Sequence, residues 1–323
     1  YRRYFMPSGS LKARVLGGFR LTDEYIDQMA EEYYRCTACR RCKATCPVGI
    51  DHGLVTHLAR WLLAEVDVIP KALLVSVREQ LEGATRNTSA IPQVAMRDTC
   101  EFLEEELEDI YPGAGISFPI DVEDSEYVFF PAVSDYLLEA DTLMGNAAML
   151  HAIGASWTIG SENFDGIDYG LFYSDRMWER IIKAQVAELH RLGGRVMLIG
   201  ECGHASRSAK EGMENFIPED ERVSVVNIME LAHANFVSGK LRLIENAITE
   251  RTTYHDPCNI ARKGWIVEQP RAMLRHICSD FVEMTPNGVD NYCCGGGGGT
   301  VSIDEIRPFR VMVGGQTKAD QIR

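Results

Sequence analysis

Ten cysteines are the residues with the most evident chemistry among the 323, because most of them are grouped at intervals that suit metal rather than disulfides. Cys36, Cys39, Cys42 and Cys46, with Pro47, spell C-x2-C-x2-C-x3-C-P. Closely spaced thiolates of this kind can wrap one face of an iron–sulfur cube while backbone N–H groups point at its sulfurs, and the last arrives after a turn that the proline ends. Four thiolates also suit a zinc knuckle, although zinc sites usually separate two C-x-x-C pairs by a longer spacer. No second run of this kind occurs, so all four are assigned to one cubane [4Fe–4S] cluster. Arg40, Arg41 and Lys43 lie among them, where positive charge either raises the potential of a cluster or docks an acidic partner.

A second set lies near the other end. It comprises Tyr254-His255-Asp256-Pro257-Cys258 and, after 34 intervening residues, Cys293-Cys294-Gly295 followed by Gly296 to Gly299. Neighbouring cysteines do not pair easily with each other and offer a dense patch of soft ligand, for which iron and sulfide are the natural occupants. The glycine run lacks the Lys-Ser/Thr of a phosphate loop and the spacing of a dinucleotide fingerprint. Close backbone approach to a cluster is the preferred use, which makes Gly295 and Gly296 candidate cofactor-binding residues. Cys202, in Gly-Glu-Cys-Gly-His, is an additional candidate ligand or a buried thiol at a strand end. His255 and His204 flank these cysteines, and either is a candidate proton donor to a leaving thiolate or a structural hydrogen-bonding group. Cys100 and Cys278 are read as core thiols.

These residues need elements to position them. Apolar periodicity and capping residues predict helices over Leu21 to Arg35, Asp51 to Ala64, Lys71 to Glu82 and Asp98 to Asp109. The stretch Tyr111 to Ser125 mixes Pro112, Gly113, Gly115 and Pro119 with acids and reads as a linker. Strands at Tyr127 to Phe130, Ser156 to Ile159 and Arg195 to Gly200 then alternate with helices Ser134 to Ile153 and Ser174 to Leu192, the pattern of a parallel α/β layer. A related second half is expected from strands Thr252 to His255 and Phe281 to Met284, with helix Gln269 to Cys278 between them and another from Ile303 or Arg307. The fold class is therefore α+β: an N-terminal all-helical ferredoxin-like domain (1–110), a linker (111–125) and an α/β domain of two pseudo-symmetric halves (126–323).

With 33 Lys+Arg against 47 Asp+Glu the net charge is −14, which excludes a general nucleic-acid binder. No run of 18 apolar residues occurs and Tyr1 to Lys12 has no apolar h-region, so neither a membrane span nor a secretory signal is expected. A hydrophobic content of 46% suffices for a substantial core. Clustered cysteines without a secretory signal point to a reducing compartment, and the expected location is cytoplasmic, peripheral to a membrane only through a partner.

The ferredoxin-type run, His-Asp-Pro-Cys and Cys-Cys-Gly together resemble the CCG-domain iron–sulfur proteins, the catalytic subunit of heterodisulfide reductase and its relatives. Three further phrases are similar to the branch formed by the K subunit of the sulfite-reductase-linked membrane complex: Glu162 to Asp165, Tyr169 to Asp175 and Gly200 to Ala205. The resemblance covers the chain from Arg35 onward. It implies that each complete half supplies a first cysteine, a Cys-Cys pair and a later C-x-x-C, which together hold a noncubane-type [4Fe–4S] cluster where disulfides are cleaved. Cys258 then matches the first cysteine, and Cys293 with Cys294 match the pair. The later C-x-x-C should fall some tens of residues on, yet the sequence ends at Arg323, so the expectation is either a domain truncated at its C-terminal end or an incomplete site. In the first half Pro131 stands for the first cysteine and only Cys202 remains near the C-x-x-C. The resemblance further implies a multi-subunit redox complex, fed by a quinol-linked membrane subunit or a flavoprotein and acting on a small disulfide or a carrier protein's cysteine pair. A purely electron-conducting subunit is the alternative.

Overall fold

The computed structural model describes residues 21–323, together with Leu11 and Val15. Helices form where the apolar spacing and caps predict them. Helix α1 (Asp23–Tyr34) starts at Thr22, whose Oγ1 accepts from the Tyr25 N–H at 3.3 Å. A short helix α2 (Arg41–Thr45) lies inside the first cysteine run. Helix α3 (His52–Ala64) is capped by Asp51, which accepts from the Leu54 N–H at 3.0 Å. Helix α4 (Lys71–Glu82) has the predicted bounds, and α5 (Gln93–Ile110) begins one turn or more before the expected Asp98 because the chain can turn in directly after Pro92.

The sheet is wholly parallel. Strands β1 (Tyr127–Phe130), β2 (Trp157–Thr158), β3 (Val196–Ile199) and β4 (Ser224–Asn227) lie in the order β2-β1-β3-β4, with Val128 paired to Met197 and Met197 to Val225. Both faces are covered, which explains the uninterrupted apolar runs of β1 and β3. Phe129 and Leu198 face one layer, formed by α6 (Ala140–Ala152) and by Met96, Cys100, Leu103 and Leu107 of α5. Val128, Phe130, Met197 and Ile199 face the other, formed by α7 (Asp175–Arg191) and α8 (Gly203–Phe216). The strand order reverses direction between β1 and β3, and Pro131 and Gly200 to Cys202 leave the carboxyl ends there, the usual place for a ligand crevice in such sheets.

Three expectations are corrected. The single helix Ser134 to Ile153 is a short 3-10 turn, Val133–Tyr136, then a break and α6, because Leu137 and Leu138 point to solvent rather than into a helical stripe. Helix α8, strand β4 and helix α9 (Ile228–Val237) occupy a stretch for which no element was predicted; the Asn227–Glu230 capping box starts α9. In the second half, Thr252 to His255 and Phe281 to Met284 meet only through the isolated parallel bridge Thr252–Phe281, and another joins Ile248 to Cys278. Those segments have too few apolar alternating positions for a ladder, so loops anchored by side chains replace strands. The last helical stretch begins at Arg307, one of the two expected starts, and runs through Arg307–Phe309 and a π-helical Arg310–Gly315 into Gln316–Ile322. Helix α10 (Glu268–Ile277) agrees with the predicted one, and Cys278 and Cys100 are both buried.

The glycine run lies against the first cysteine run. A Cβ on Gly297 would come within 2.7 Å of the Thr37 carbonyl oxygen, and one on Gly298 within 2.7 Å of the Cys36 carbonyl oxygen. Gly298 also has φ of +69°, so only glycine fits without strain. Close approach was expected at a cluster; in the structure the glycines approach the backbone of the loop that carries Cys36. Gly298→Ala should destabilise the protein by about 1–3 kcal/mol, read as a lowered thermal midpoint, because the overlap is with backbone that cannot move aside.

Behind this contact, the buried Asp168 accepts from Ser208 Oγ at 2.6 Å and ties the 168–173 turn to α8. Burial pushes its carboxyl up to about 7. A carboxyl whose folded pKa lies above its ordinary 3.8 gives stability that is complete below about pH 4 and is lost as pH rises through 7. Unfolding midpoints of Asp168→Asn, measured from pH 4 to 8, should therefore fall less with rising pH than those of the unchanged protein; parallel curves would contradict this.

Candidate metal centre

Five of the cysteines share a backbone device. The thiol of Cys36 accepts from the Ala38 N–H at 3.4 Å, and that of Cys293 from the Gly295 N–H at 3.3 Å. Cys39 accepts from the Arg41 N–H, Cys294 from the Gly296 N–H and Cys202 from the His204 N–H. In each case the donor lies two residues on. Positive φ at Ala38, Arg40 and Gly295 helps turn these amides toward sulfur, an arrangement that costs strain for Ala38 and Arg40 and favours an anionic ligand atom. Cys46 accepts from the Ile50 N–H at 3.3 Å, whereas Cys42 is exposed.

The two cysteine sets meet. Cys39, from the first run, lies with Cys258 and Cys294 around the thiol of Cys293, and Thr37 Oγ1 is 3.1 Å from Cys293 Sγ. Hydrogen bonding from Cys293 draws Cys39 down to about 5 and Cys294 to about 3, the latter with help from His255, and it lowers Cys258 as well. Cys293 itself is driven far up, chiefly because its proton is held by Cys258 and then by its other two neighbours. The thiol of Cys293 thus lies where three other sulfurs converge, the position a soft cation would take. Among the described residues no three His, Cys, Asp or Glu side chains form a ready cage for a single metal ion. The thiols and their amides fit an iron–sulfur group better, since there the inorganic sulfide completes each iron.

The remaining candidates are placed differently. Cys202 pairs with His204, Sγ to Nδ1 at 3.2 Å, and burial raises its thiol to about 12. The His204 ring is stacked on Tyr169, with centroids 5.5 Å apart, and burial, then the nearby Arg207, lowers it to about 4. It is therefore uncharged near neutrality and has no second proton to donate. His255 lies beside Cys294, and its Nδ1 and the Nε2 of His204 are buried without a hydrogen-bond partner. Gly296 is in contact range of Cys294, a Cβ there being 3.7 Å from Sγ, while Gly295 lies against the Arg310 carbonyl.

Several positioning residues carried no local sequence signal. Arg271 grips Asp256 of the His-Asp-Pro-Cys segment through two hydrogen bonds of 2.6 and 2.7 Å, and Asp256 also accepts from the Gly288 N–H at 2.7 Å. Asn291 donates to the Asp256 carbonyl at 3.0 Å, which fixes the approach to Cys293 relative to Cys258. Arg60 and Arg262 hold the cysteine loop by its carbonyls, Cys36 O at 2.6 Å and Cys39 O at 2.7 Å. A cavity of about 540 Å³ opens beside α2, lined by Arg40, Lys43, Lys210, Arg262, Lys263 and Trp265.

Residues 252–321 match the family model of the CCG cysteine-rich domain, the part that carries Cys258, Cys293 and Cys294. Over 96% of its length the chain is 25% identical to an Hdr-like menaquinol oxidoreductase iron-sulfur subunit 2 from Archaeoglobus fulgidus, and over 97% it is 26% identical to the corresponding iron-sulfur subunit from Archaeoglobus profundus. It is also similar, at 22% identity over 93% of its length, to one subunit of the dihydromethanophenazine:CoB–CoM heterodisulfide reductase of Methanosarcina barkeri. The chain spans 62% and 63% of the two Archaeoglobus proteins and 70% of the Methanosarcina one. No solved structure matches it. Residues 252–321 thus match a CCG cysteine-rich domain, and over nearly its whole length the chain is similar to iron–sulfur subunits of Hdr-like oxidoreductases.

Proposed function

We propose that this chain is an iron–sulfur electron-transfer subunit of a redox complex that reduces, or in reverse forms, a disulfide. The observation that carries the reading is the meeting of Cys39 with Cys258, Cys293 and Cys294, which brings the two cysteine sets into one thiol corner. Cys36, Cys39, Cys42 and Cys46 would hold a cubane [4Fe–4S] cluster, and Cys258, Cys293 and Cys294 a second, noncubane-type one, with Cys202 as an added candidate from the first half. When bound, such groups supply single-electron transfer and soft iron sites for sulfur. The division at 111–125 and the relation between the two halves belong to the same proposal, as does the narrower likeness to the K subunit of the sulfite-reductase-linked membrane complex. Parallel bridges in the second half, in the sense of the β1–β2 pairing, support that relation.

The chain's own residues account for what surrounds the chemistry. His255 lies beside Cys294, the more exposed of the paired thiols, and is placed to give a proton to a sulfur leaving there. His204, neutral and enclosed by aromatic rings, serves to orient Cys202 through its Nδ1. The cavity beside α2, where Arg40, Lys43, Lys210, Arg262 and Lys263 outnumber Glu211 and Glu214, is the proposed docking place of an acidic disulfide carrier or a small anionic thiol conjugate. No helix among the described residues is long and apolar enough to cross a membrane. The names of the Archaeoglobus relatives support a quinol-linked partner as the proposed electron source, a flavoprotein being the other, with the chain proposed to lie peripheral to the membrane on its cytoplasmic side.

One observation favours the reading as a conductor without substrate chemistry: the first half offers Cys202 alone, and that thiol is paired with His204 rather than with the Cys293 group. The two readings separate in one experiment on anaerobically purified protein. Cys293→Ser and Cys294→Ser should each abolish steady-state reduction of candidate disulfides, a loss of 100-fold or more on the order expected for a removed ligand, while leaving the electron paramagnetic resonance of the Cys36 to Cys46 cluster. Retained turnover in these variants excludes disulfide chemistry at this corner, and a colourless protein without iron excludes both readings.

A further inference from the structure

Among the described residues four arginines are buried, and they divide into two kinds. Arg207 is neutralised by Glu211 at 3.0 Å, and Arg271 by Asp256 and Glu283 at 2.6 and 2.8 Å. Arg60 and Arg262, 2% and 7% exposed, have no carboxylate of the described residues within ion-pair distance. Arg60 gives its protons to the carbonyls of Tyr33, Cys36, Gly298 and Phe172, at 3.1, 2.6, 2.9 and 3.5 Å, and its guanidinium lies over the Tyr34 ring. Arg262 gives its protons to the carbonyls of Val289 and Cys39, both at 2.7 Å, and to that of Asn291.

An unneutralised cation in a protein interior is costly, and carbonyl dipoles only partly offset it. These two cations share a further property. Each binds the carbonyl of a cysteine in the first run, Cys36 or Cys39, and each reaches across to the C-terminal segment, Arg60 to the glycine run and Arg262 to the loop before Cys293. Arg262 extends from a π-helical turn, Ile260–Gly264, directly after Cys258. Such turns are rare and recur at functional sites. The groups near these guanidiniums that can take negative charge are thiols and Tyr34: Cys36 and Tyr34 for Arg60, Cys39 and Cys258 for Arg262.

We propose that Arg60 and Arg262 are positioning residues that act as fixed counter-cations of the cysteine-held centres, Arg60 on the Cys36 side and Arg262 at the seam of Cys39 and Cys258. The assignment rests on the iron–sulfur reading above. When one electron enters from the reductant, the negative charge at the seam grows by one. Arg262 offsets it as a fixed positive charge, without a proton changing hands. Its carbonyl bonds at the same time hold the cysteine loop to the C-terminal segment, so one side chain sets both the spacing of the two thiol sets and the ease of reduction.

The test compares the unchanged protein with Arg262→Gln and Arg262→Lys. Each is purified anaerobically, assayed for iron and sulfide, and titrated with dithionite under electron paramagnetic resonance. Arg262→Gln, at unaltered iron content, should lower the reduced-to-oxidised ratio of one centre by about tenfold at the unchanged protein's midpoint. Arg262→Lys, which keeps the charge, should stay closer to the unchanged protein than Arg262→Gln does. Thermal midpoints of loaded and chelator-stripped protein supply the second readout. Removing the charge should cost more in the loaded protein than in the stripped one, whereas a role confined to holding carbonyls predicts equal losses. An unaltered midpoint in Arg262→Gln, or equal thermal losses, overturns the proposal and leaves the iron–sulfur reading standing. Should Arg262→Gln fail to retain iron, the lysine variant decides: a midpoint close to the unchanged protein's supports the proposal and a large fall overturns it. Unchanged protein without iron defeats the underlying reading, and this assignment with it.

Discussion

Two stretches more than two hundred residues apart in sequence are held face to face by backbone contact, and the candidate site exists only because of it. Gly297 and Gly298 lie so close to the Thr37 and Cys36 carbonyls that no side chain fits between them. Close approach alone would leave carbonyl oxygens crowded and unpaired, which a protein interior does not tolerate. Arg60 satisfies the Cys36 oxygen and Arg262 that of Cys39 in the same loop, closing the seam from two sides. Glycine supplies the space and arginine supplies the donors.

The parallel sheet and the cysteine corner play separate roles. The sheet, covered on both faces, gives the rigid layer from which α7 and α8 extend, and its switch point presents Cys202 with His204. The corner is built instead from loops, short bridges and one bidentate ion pair, Arg271 with Asp256. Loops can bend to follow an inorganic group, and their amides are free to point at sulfur, which amides committed to a ladder cannot do. The recurring N–H two residues after five of the cysteines is the local form of that freedom.

Local reading succeeded wherever one periodic signal and one cap acted together. The bounds of α4, the helix starts near Thr22, Asp51 and Ser174 and the strand β1 were all legible, as was the burial of Cys100 and Cys278. It failed where tertiary contact outweighed propensity. Gly203–Phe216 carries several small and polar residues and gives a weak helical signal, yet it forms α8 because Ala205, Ala209 and Met213 face the sheet. Thr252 to His255 has β-prone residues but no partner long enough to form a ladder.

The cysteine spacing alone states the chemistry, because ligand chemistry is local: four thiolates within a short run, or two side by side, restrict the occupant whatever the fold. Which thiols share a site is a different matter. Cys39 adjoins Cys293, Cys202 turns to His204, and two arginines with no motif around them hold the seam. Those pairings depend on distances across the folded chain, set by a glycine run and by carbonyl bonds that span more than two hundred residues, and no window of neighbouring residues contains them.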